Sequence, residues 1–233
     1  MYKRRKVLAI IPARAGSKAL PRKNIKNMCG KPLIAWAINE AKKSRYIDRV
    51  IVSTDGQAIS GIARKFGAEI PFMRPAGLAT DSAKMIDVIL YTISRLKDEF
   101  CPRDLVVLLQ PTSPLRLADD IDNAIEMFFL KRTSSVISVC EVDQHPYLMS
   151  RITADGRMKD FANPGFTKKN RQDLPLFYKA NGAVYLASIG YLKKEKGLYG
   201  TRTYAYVMPK ERSVDIDDEL DFRFAELLLK ERR

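Results

Sequence analysis

A mostly parallel, doubly wound α/β sheet, interrupted late in the chain by a β-rich insert, is the fold this sequence predicts. Three observations carry it. Short, wholly apolar runs such as Val7-Leu8-Ala9-Ile10-Ile11 read as strands buried on both faces. These runs alternate with segments of helical apolar spacing, the order that a covered parallel sheet requires. The alternation breaks between residues 143 and 179, where three prolines, seven basic residues and an Asp155-Gly156 hairpin signal stand without a helical stripe. The expected organisation is one core, residues 1–142 with 180–233, carrying an inserted arm at 143–179.

Each element follows from local pattern. The first strand, 7–11, runs into the loop Ile11-Pro12-Ala13-Arg14-Ala15-Gly16-Ser17-Lys18-Ala19-Leu20-Pro21-Arg22-Lys23-Asn24. Residues 32–44 place Leu33, Ile34, Trp36, Ala37 and Ala41 at helical spacing, with Trp36 assigned to the core. A second buried strand, 49–55, ends in polar residues, and a helix over 57–66 is stopped by Gly67. Residues 69–73 read as a third strand. A long amphipathic helix is expected over 81–100, capped by Asp81 or Ser82. A central strand at 104–110, a helix at 119–132 and a strand at 134–140 follow. Beyond the insert come strands at 181–186 and 204–208 and a closing helix from about residue 218, with helically spaced phenylalanines facing the core.

At 233 residues the chain can bury a large core. Apolar residues make up 46% and charged residues 29%, the balance of a soluble globular protein. An excess of 41 Lys+Arg over 27 Asp+Glu, net +14, favours polyanionic partners such as nucleotides and phosphosugars. Nucleic acid is disfavoured as a partner, because the basic residues are dispersed and no aromatic-basic module is present. The runs Lys3-Arg4-Arg5-Lys6 and Lys230-Glu231-Arg232-Arg233 read as solvated ends. Cys29, Cys101 and Cys140 are far apart and in no metal spacing, which points to a reducing cytoplasm. The apolar run behind the basic N-terminus stops at Pro12, too short for a signal peptide, and no stretch approaches the roughly 20 apolar residues of a membrane span. No membrane association is expected.

The chemistry concentrates near the two ends. Arg14, Lys18, Arg22 and Lys23 crowd the loop after the first strand, which Pro12 opens, Gly16 loosens and Pro21 stiffens. A basic, backbone-rich loop at the carboxyl end of a first strand is where α/β proteins hold phosphates. It has neither Gly-x-Gly-x-x-Gly nor the Gly-Lys-Ser/Thr of a P-loop, so side chains must grip phosphate as much as backbone does. Near the other end stands Ser213-Val214-Asp215-Ile216-Asp217. In an extended segment, residues two apart point the same way, so Asp215 and Asp217 present two carboxylates together. Mg²⁺ takes one or two carboxylates plus substrate phosphates. A competing reading has Asp217, Asp218, Glu219 and Asp221 complementing a helix N-terminus, which accounts poorly for Asp215. The loop Gln110-Pro111-Thr112-Ser113-Pro114-Leu115-Arg116 either aims Gln110 and Arg116 at the crevice or is a plain turn. Asn181-Gly182 reads equally as a hairpin connection. His145 receives no role.

Taken together and in order, the basic loop, Val52-Ser53-Thr54-Asp55, Arg74-Pro75-Ala76-Gly77-Leu78-Ala79, Gln110 to Arg116, Arg171-Gln172-Asp173-Leu174-Pro175, Asn181-Gly182-Ala183-Val184-Tyr185 and Asp215-Ile216-Asp217 resemble the cytidylyltransferases that activate sialic acids. This is the CMP-N-acylneuraminate synthetase family, with its legionaminic and pseudaminic acid relatives, and the likeness covers nearly the whole chain. It implies a nucleotidyltransferase-type sheet, CTP as donor and a nine-carbon 2-keto-3-deoxy acid sugar as acceptor. It also implies a homodimer in which each arm completes the neighbouring active site. Carried onto this chain, the resemblance has Ala13, Arg14, Lys23 and Asn24 hold the CTP phosphates and ribose. Arg74 and the segment after it, as far as Asp81, border the cytosine. Gln110, Arg116, Asn181 and Tyr185 contact the sugar, and Arg171 reaches its carboxylate from the other subunit. Asp215 and Asp217 hold Mg²⁺, forming with Arg14 and Lys23 the catalytic group.

Three departures from the family pattern stand out. Lys84-Met85 replaces the small hydroxyl residues common after the Asp81 segment. Leu148 stands where some members place a lysine in the arm. Lys179-Ala180 precedes Asn181-Gly182-Ala183 where Arg-Pro is frequent. The last two fall at the acceptor site, which opens the choice between N-acetylneuraminate and legionaminic or pseudaminic acid.

Overall fold

The computed structural model describes residues 1–17, 19–96, 99–159 and 170–232, so Lys18 and part of the expected insert lie outside the described residues. β1 (Val7–Pro12) is buried throughout. Its alternate residues feed two separate cores, Val7, Ala9 and Ile11 on one face and Leu8 and Ile10 on the other. A sheet covered on both sides demands this arrangement. After the basic loop, β2 (Asn27–Met28) and β3 (Lys31–Pro32) form a small antiparallel ribbon leading into α1 (Leu33–Lys43). β4 (Arg49–Ser53) is followed by α2 (Gln57–Lys65), which stops before Gly67 at φ +84°. Next come α3 (Met85–Arg95), β5 (Leu105–Leu108), α4 (Ala118–Leu130) and β6 (Ser135–Glu141). Inside the insert, β7 (Arg151–Ile152) pairs with β8 (Met158–Lys159) across the Asp155-Gly156 turn. β9 (Tyr178–Ser188), α5 (Ile189–Glu195), β10 (Thr203–Val207) and α6 (Glu219–Glu231) complete the order.

The six-stranded sheet is ordered β10-β6-β9-β5-β1-β4 and is parallel except for β9, which runs antiparallel between β5 and β6. The strand order reverses at β1, with β4 on one side and β5 on the other. Loops leaving β1 and β5 therefore diverge and open a crevice at the carboxyl edge, the usual place for a ligand in such sheets. The reversal of β9 brings its opening residues to that same edge. A third core, built from Leu33, Leu115, Ile216, Phe222, Ala225 and Leu229, seats α6 behind the crevice, with Trp36 packed against it.

Several expected elements differ. Residues 69–73 form no strand: Glu69 makes one parallel bridge to Ile51, and Pro71, without an N–H, cannot extend the ladder. The long helix expected from residue 81 starts at Met85, because the Asp81 carboxylate is engaged by Arg14 rather than by a helix end. Residues 213–217 are not part of the sheet, and Ser213, at φ −112° and ψ 17°, is not extended; a hydrogen bond from Ile216 N to Thr112 O fixes the segment instead. Phe224 is exposed, unlike buried Phe128 and Phe222. The β2–β3 ribbon and α5 carry no clear pattern in the sequence.

Candidate active site

The basic loop is braced from within. Ala13 N donates to Ser53 O at 3.0 Å, Ala15 N to Asp55 Oδ1 at 2.9 Å, and the buried Asn24 Nδ2 to Arg14 O at 3.0 Å. Arg22 takes the left-handed conformation, φ 55°, and so starts a single turn over Lys23–Ile25. Lys23 lies largely buried, its Nζ donating to Ile216 O at 2.6 Å and standing 3.9 Å from Asp217 Oδ1. That contact joins the cationic front of the chain to the paired carboxylates near its end.

Arg14 Nη1 meets Asp81 Oδ1 at 2.5 Å. Both side chains are more than a third exposed, so this pair contributes little and can yield to a ligand. Arg74 is buried, with its guanidinium on Ser53 Oγ and Ser53 O. Burial lowers its pKa to about 10, with Asp55 opposing the shift and Arg14 adding to it. Arg14, Lys23, Asn24 and Arg74, together with Gln110 and Thr112 from the β5 loop, line a cavity of about 190 Å³. Met85, one of the departures, also borders it.

The second wall comes from β9. At Asn181-Gly182 the pairing with β6 changes register, and Gly182 sits at φ +74°. A Cβ at Gly182 would lie 2.5 Å from Gln110 Oε1, 2.9 Å from Ser113 Oγ and 3.2 Å from Asp215 Oδ2. Only glycine permits this approach, which brings Gln110 and Asp215 to one point. Gly182→Ala should therefore push both groups away. The left-handed strain costs roughly 1–2 kcal/mol, and a displacement near 1 Å can slow turnover up to about 10²-fold. Thermal melting should fall by about 2–8 °C, while kinetics report the displacement; unchanged turnover would contradict this placement.

Asn181 and Arg116, expected to contact a sugar, are turned inward. Asn181 is 1% exposed; its amide donates to Ser213 Oγ at 2.8 Å and accepts from Ser138 Oγ at 2.6 Å and Ala183 N at 3.2 Å. It ties β9 to the residue two before Asp215. Arg116 is also 1% exposed, with its guanidinium on the carbonyls of Gln110 and Ala183 and its Nε without a partner. Burial lowers its pKa to about 10, against the pull of Glu40 and Asp120. It braces the Gln110 loop from behind. Tyr185 is half-buried; burial, Tyr199 and the charge of Asp215 all push its hydroxyl pKa up. The Arg171 backbone lies in a turn over Arg171–Asp173, and its side chain lies outside the described residues.

Asp215 and Asp217 stand at the mouth of a larger crevice of about 640 Å³, whose wall also holds Lys179, Lys210, Asp221 and Phe224. Desolvation, aided by Asp217 and Asp221, holds the Asp215 carboxyl above the ordinary carboxylate range, against a hydrogen bond with Thr112 and the charge of Lys23. Asp218 caps α6 by accepting from Leu220 N and Asp221 N, and Asp221 accepts from Asp217 N and Asp218 N. The capping reading thus holds for Asp218 and Asp221 and leaves Asp215 outside the cap. Among the described residues no group of three His, Cys, Asp or Glu could enclose a metal. Two carboxylates beside a cation-lined cavity suit a hard cation that takes its remaining ligands from a bound phosphate compound and water. Sequence reasoning missed Thr112 and Lys210: a threonine between prolines reads as turn, and a lone loop lysine carries no motif.

A family model described as Cytidylyltransferase matches residues 8–231. A relative named CMP-N,N'-diacetyllegionaminic acid synthase, from Legionella pneumophila, is 34% identical over 232 residues, covering 97% of each chain. An N-acylneuraminate cytidylyltransferase from Escherichia coli is 36% identical over 223 residues, covering 95% of this chain and 52% of that longer protein. Among solved structures, CMP:2-keto-3-deoxy-manno-octonic acid synthetase complexed with CTP superposes with a TM-score of 0.72 at 15% identity, covering 98% of this chain and 100% of that one.

Proposed function

The chain belongs to the cytidylyltransferase family, and from that premise we propose that it transfers CMP from CTP to the anomeric hydroxyl of a nine-carbon 2-keto-3-deoxy acid sugar, releasing pyrophosphate. The observation that carries this reading is the junction of Lys23 with Ile216 and Asp217, which joins the cation-lined cavity to the crevice lined by the paired carboxylates.

In this reading Arg14 and Lys23 hold the triphosphate, with Ala13 and Asn24 shaping the loop beneath it. Arg74 and Asp81 border the base. Gln110 and Tyr185 orient the acceptor, and Arg116 and Asn181 hold the walls that carry them. Asp215 and Asp217 would hold Mg²⁺, which supplies charge neutralisation at the reacting phosphate and lowers the pKa of a nearby hydroxyl. The protein's share is positioning and fixed charge, since phosphoryl chemistry needs little else from side chains.

The arm exposes Leu148, Met149, Ile152, Met158 and Leu176, a surface that supports docking of a second copy and a shared active site. No described helix is long and apolar enough to cross a membrane. The dispersed cysteines, in no disulfide among the described residues, support a cytoplasmic setting.

A pyrophosphate-release assay with CTP or UTP against N-acetylneuraminate, legionaminic acid, pseudaminic acid and an eight-carbon 3-deoxy-octulosonate tests the proposal. Turnover should require CTP and a nine-carbon acid. Equal use of UTP, or preference for the eight-carbon acid, would contradict it. Leu148 and Lys179-Ala180, together with the end-to-end match to a legionaminic acid enzyme, favour legionaminic or pseudaminic acid within that panel.

A further inference from the structure

His145, the single histidine of the chain, is buried at the root of the arm and takes no part in the site above. It stands just beyond the end of the β6–β9 ladder, where Glu141 pairs with Tyr178 and Val142 N donates to Phe177 O at 3.0 Å. There its two ring nitrogens tie the outgoing chain to the returning one. Nδ1 accepts from Tyr147 N at 3.1 Å, capping the single turn Pro146–Leu148, and Nε2 meets Pro175 O at 2.9 Å. A carbonyl only accepts and an amide N–H only donates, so these partners assign the neutral ring with its hydrogen on Nε2. The rings of Tyr147 and Phe177 pack on it, each with its centroid 4.8 Å away.

This clasp holds two pieces of exposed apolar surface in register, Leu148 and Met149 on the outgoing side and Leu176 on the returning side. A second proton, on Nδ1, would face the Tyr147 N–H, setting donor against donor and dissolving the cap. Among the described residues, Glu141 is the other ionisable side chain lining the cavity of about 370 Å³ beside the ring. It stands 3.8 Å from Lys210, and Asp143 is held by Lys179 and Lys210 at 3.5 and 3.3 Å. Pro175, Leu176 and Phe177 bring no charge to the ring, and Asp173 is exposed in the turn before them.

We propose that neutral His145 is the positioning residue of the arm: it assembles the docking surface for a second copy of the chain, and its protonation releases that surface. Dimerisation therefore weakens as pH falls. The inference rests on the shared-site dimer reading above and deepens it.

Two measurements on the full chain test it. Nitrogen NMR reports the tautomer and titration of the lone imidazole, and sedimentation reports the dimer Kd between about pH 8 and pH 5, where histidine is the side chain that ordinarily titrates. The dimer should show the Nε2–H tautomer, and Kd should rise about tenfold as pH falls through the midpoint that the ring itself reports. His145→Gln and His145→Asn each keep one of the two bonds and stay neutral, so their Kd should vary by less than about twofold over the same range. Asp215, whose carboxyl is also raised, is common to all three proteins and cannot account for a difference between them. An Nδ1–H tautomer, a ring that does not titrate in this range, or a Kd unchanged through its titration would each overturn the proposal. An equal drift in both amide variants would overturn it too. A chain that is monomeric at every pH would instead remove the dimer reading on which the inference stands.

Discussion

Lys23→Met should lower kcat/KM for CTP by about 10²–10³-fold, equivalent to roughly 3–4 kcal/mol of transition-state stabilisation. The size follows from two roles in one side chain. Its ammonium holds Ile216 O at 2.6 Å, fixing the segment that carries both aspartates, and it lines the cavity shared with Arg14 and Arg74. Methionine keeps the apolar stem and loses both. Arginine should rescue poorly, because its longer planar fork cannot occupy the same buried space. Steady-state kinetics across CTP concentrations check this. A loss below about tenfold would show that Lys23 only props the loop.

Asp215→Asn should remove about 10²–10³-fold in turnover and leave the thermal midpoint unchanged or raised. The sign follows from its environment. Burial and the neighbouring negative charges raise the folded-state pKa of Asp215. The native state therefore binds this proton more tightly than the unfolded chain does. The associated stability is fully present below the unfolded pKa and is lost as pH rises through the folded one, so the ionised group burdens the fold at neutral pH. Asparagine lifts that burden. The same displacement should put the acid limb of the rate profile at higher pH than an ordinary aspartate gives. Thermal melts and pH–rate profiles check both, and a lower melting point in the asparagine variant would refute this account of Asp215.

Much of this arrangement is legible in the chain itself. The apolar run at Val7 announces a strand buried on both faces, and its alternating residues do feed two cores. The cations between Arg14 and Lys23 and the pair Asp215/Asp217 signal their chemistry by residue type, and the topology brings them to one edge. What stays hidden is direction. Asn181 and Arg116 have the polarity of ligand contacts, but each is spent on internal partners that only tertiary structure supplies. Pro71 ends a ladder that its apolar neighbours suit, and Asp81 pairs with Arg14 instead of capping the helix beside it. Lys179 and Lys210 lie 31 positions apart in sequence, and only the fold brings both to Asp143.

A double-mutant cycle on Lys23 and Asp215 tests most directly whether the two ends of the chain form one catalytic unit. Groups that act as a unit lose most of their effect with the first removal, so Lys23→Met in the Asp215→Asn background should cost no more than about a further tenfold in kcat/KM. Losses that multiply in full, to about 10⁴-fold or beyond, would mean that cation and carboxylate work independently.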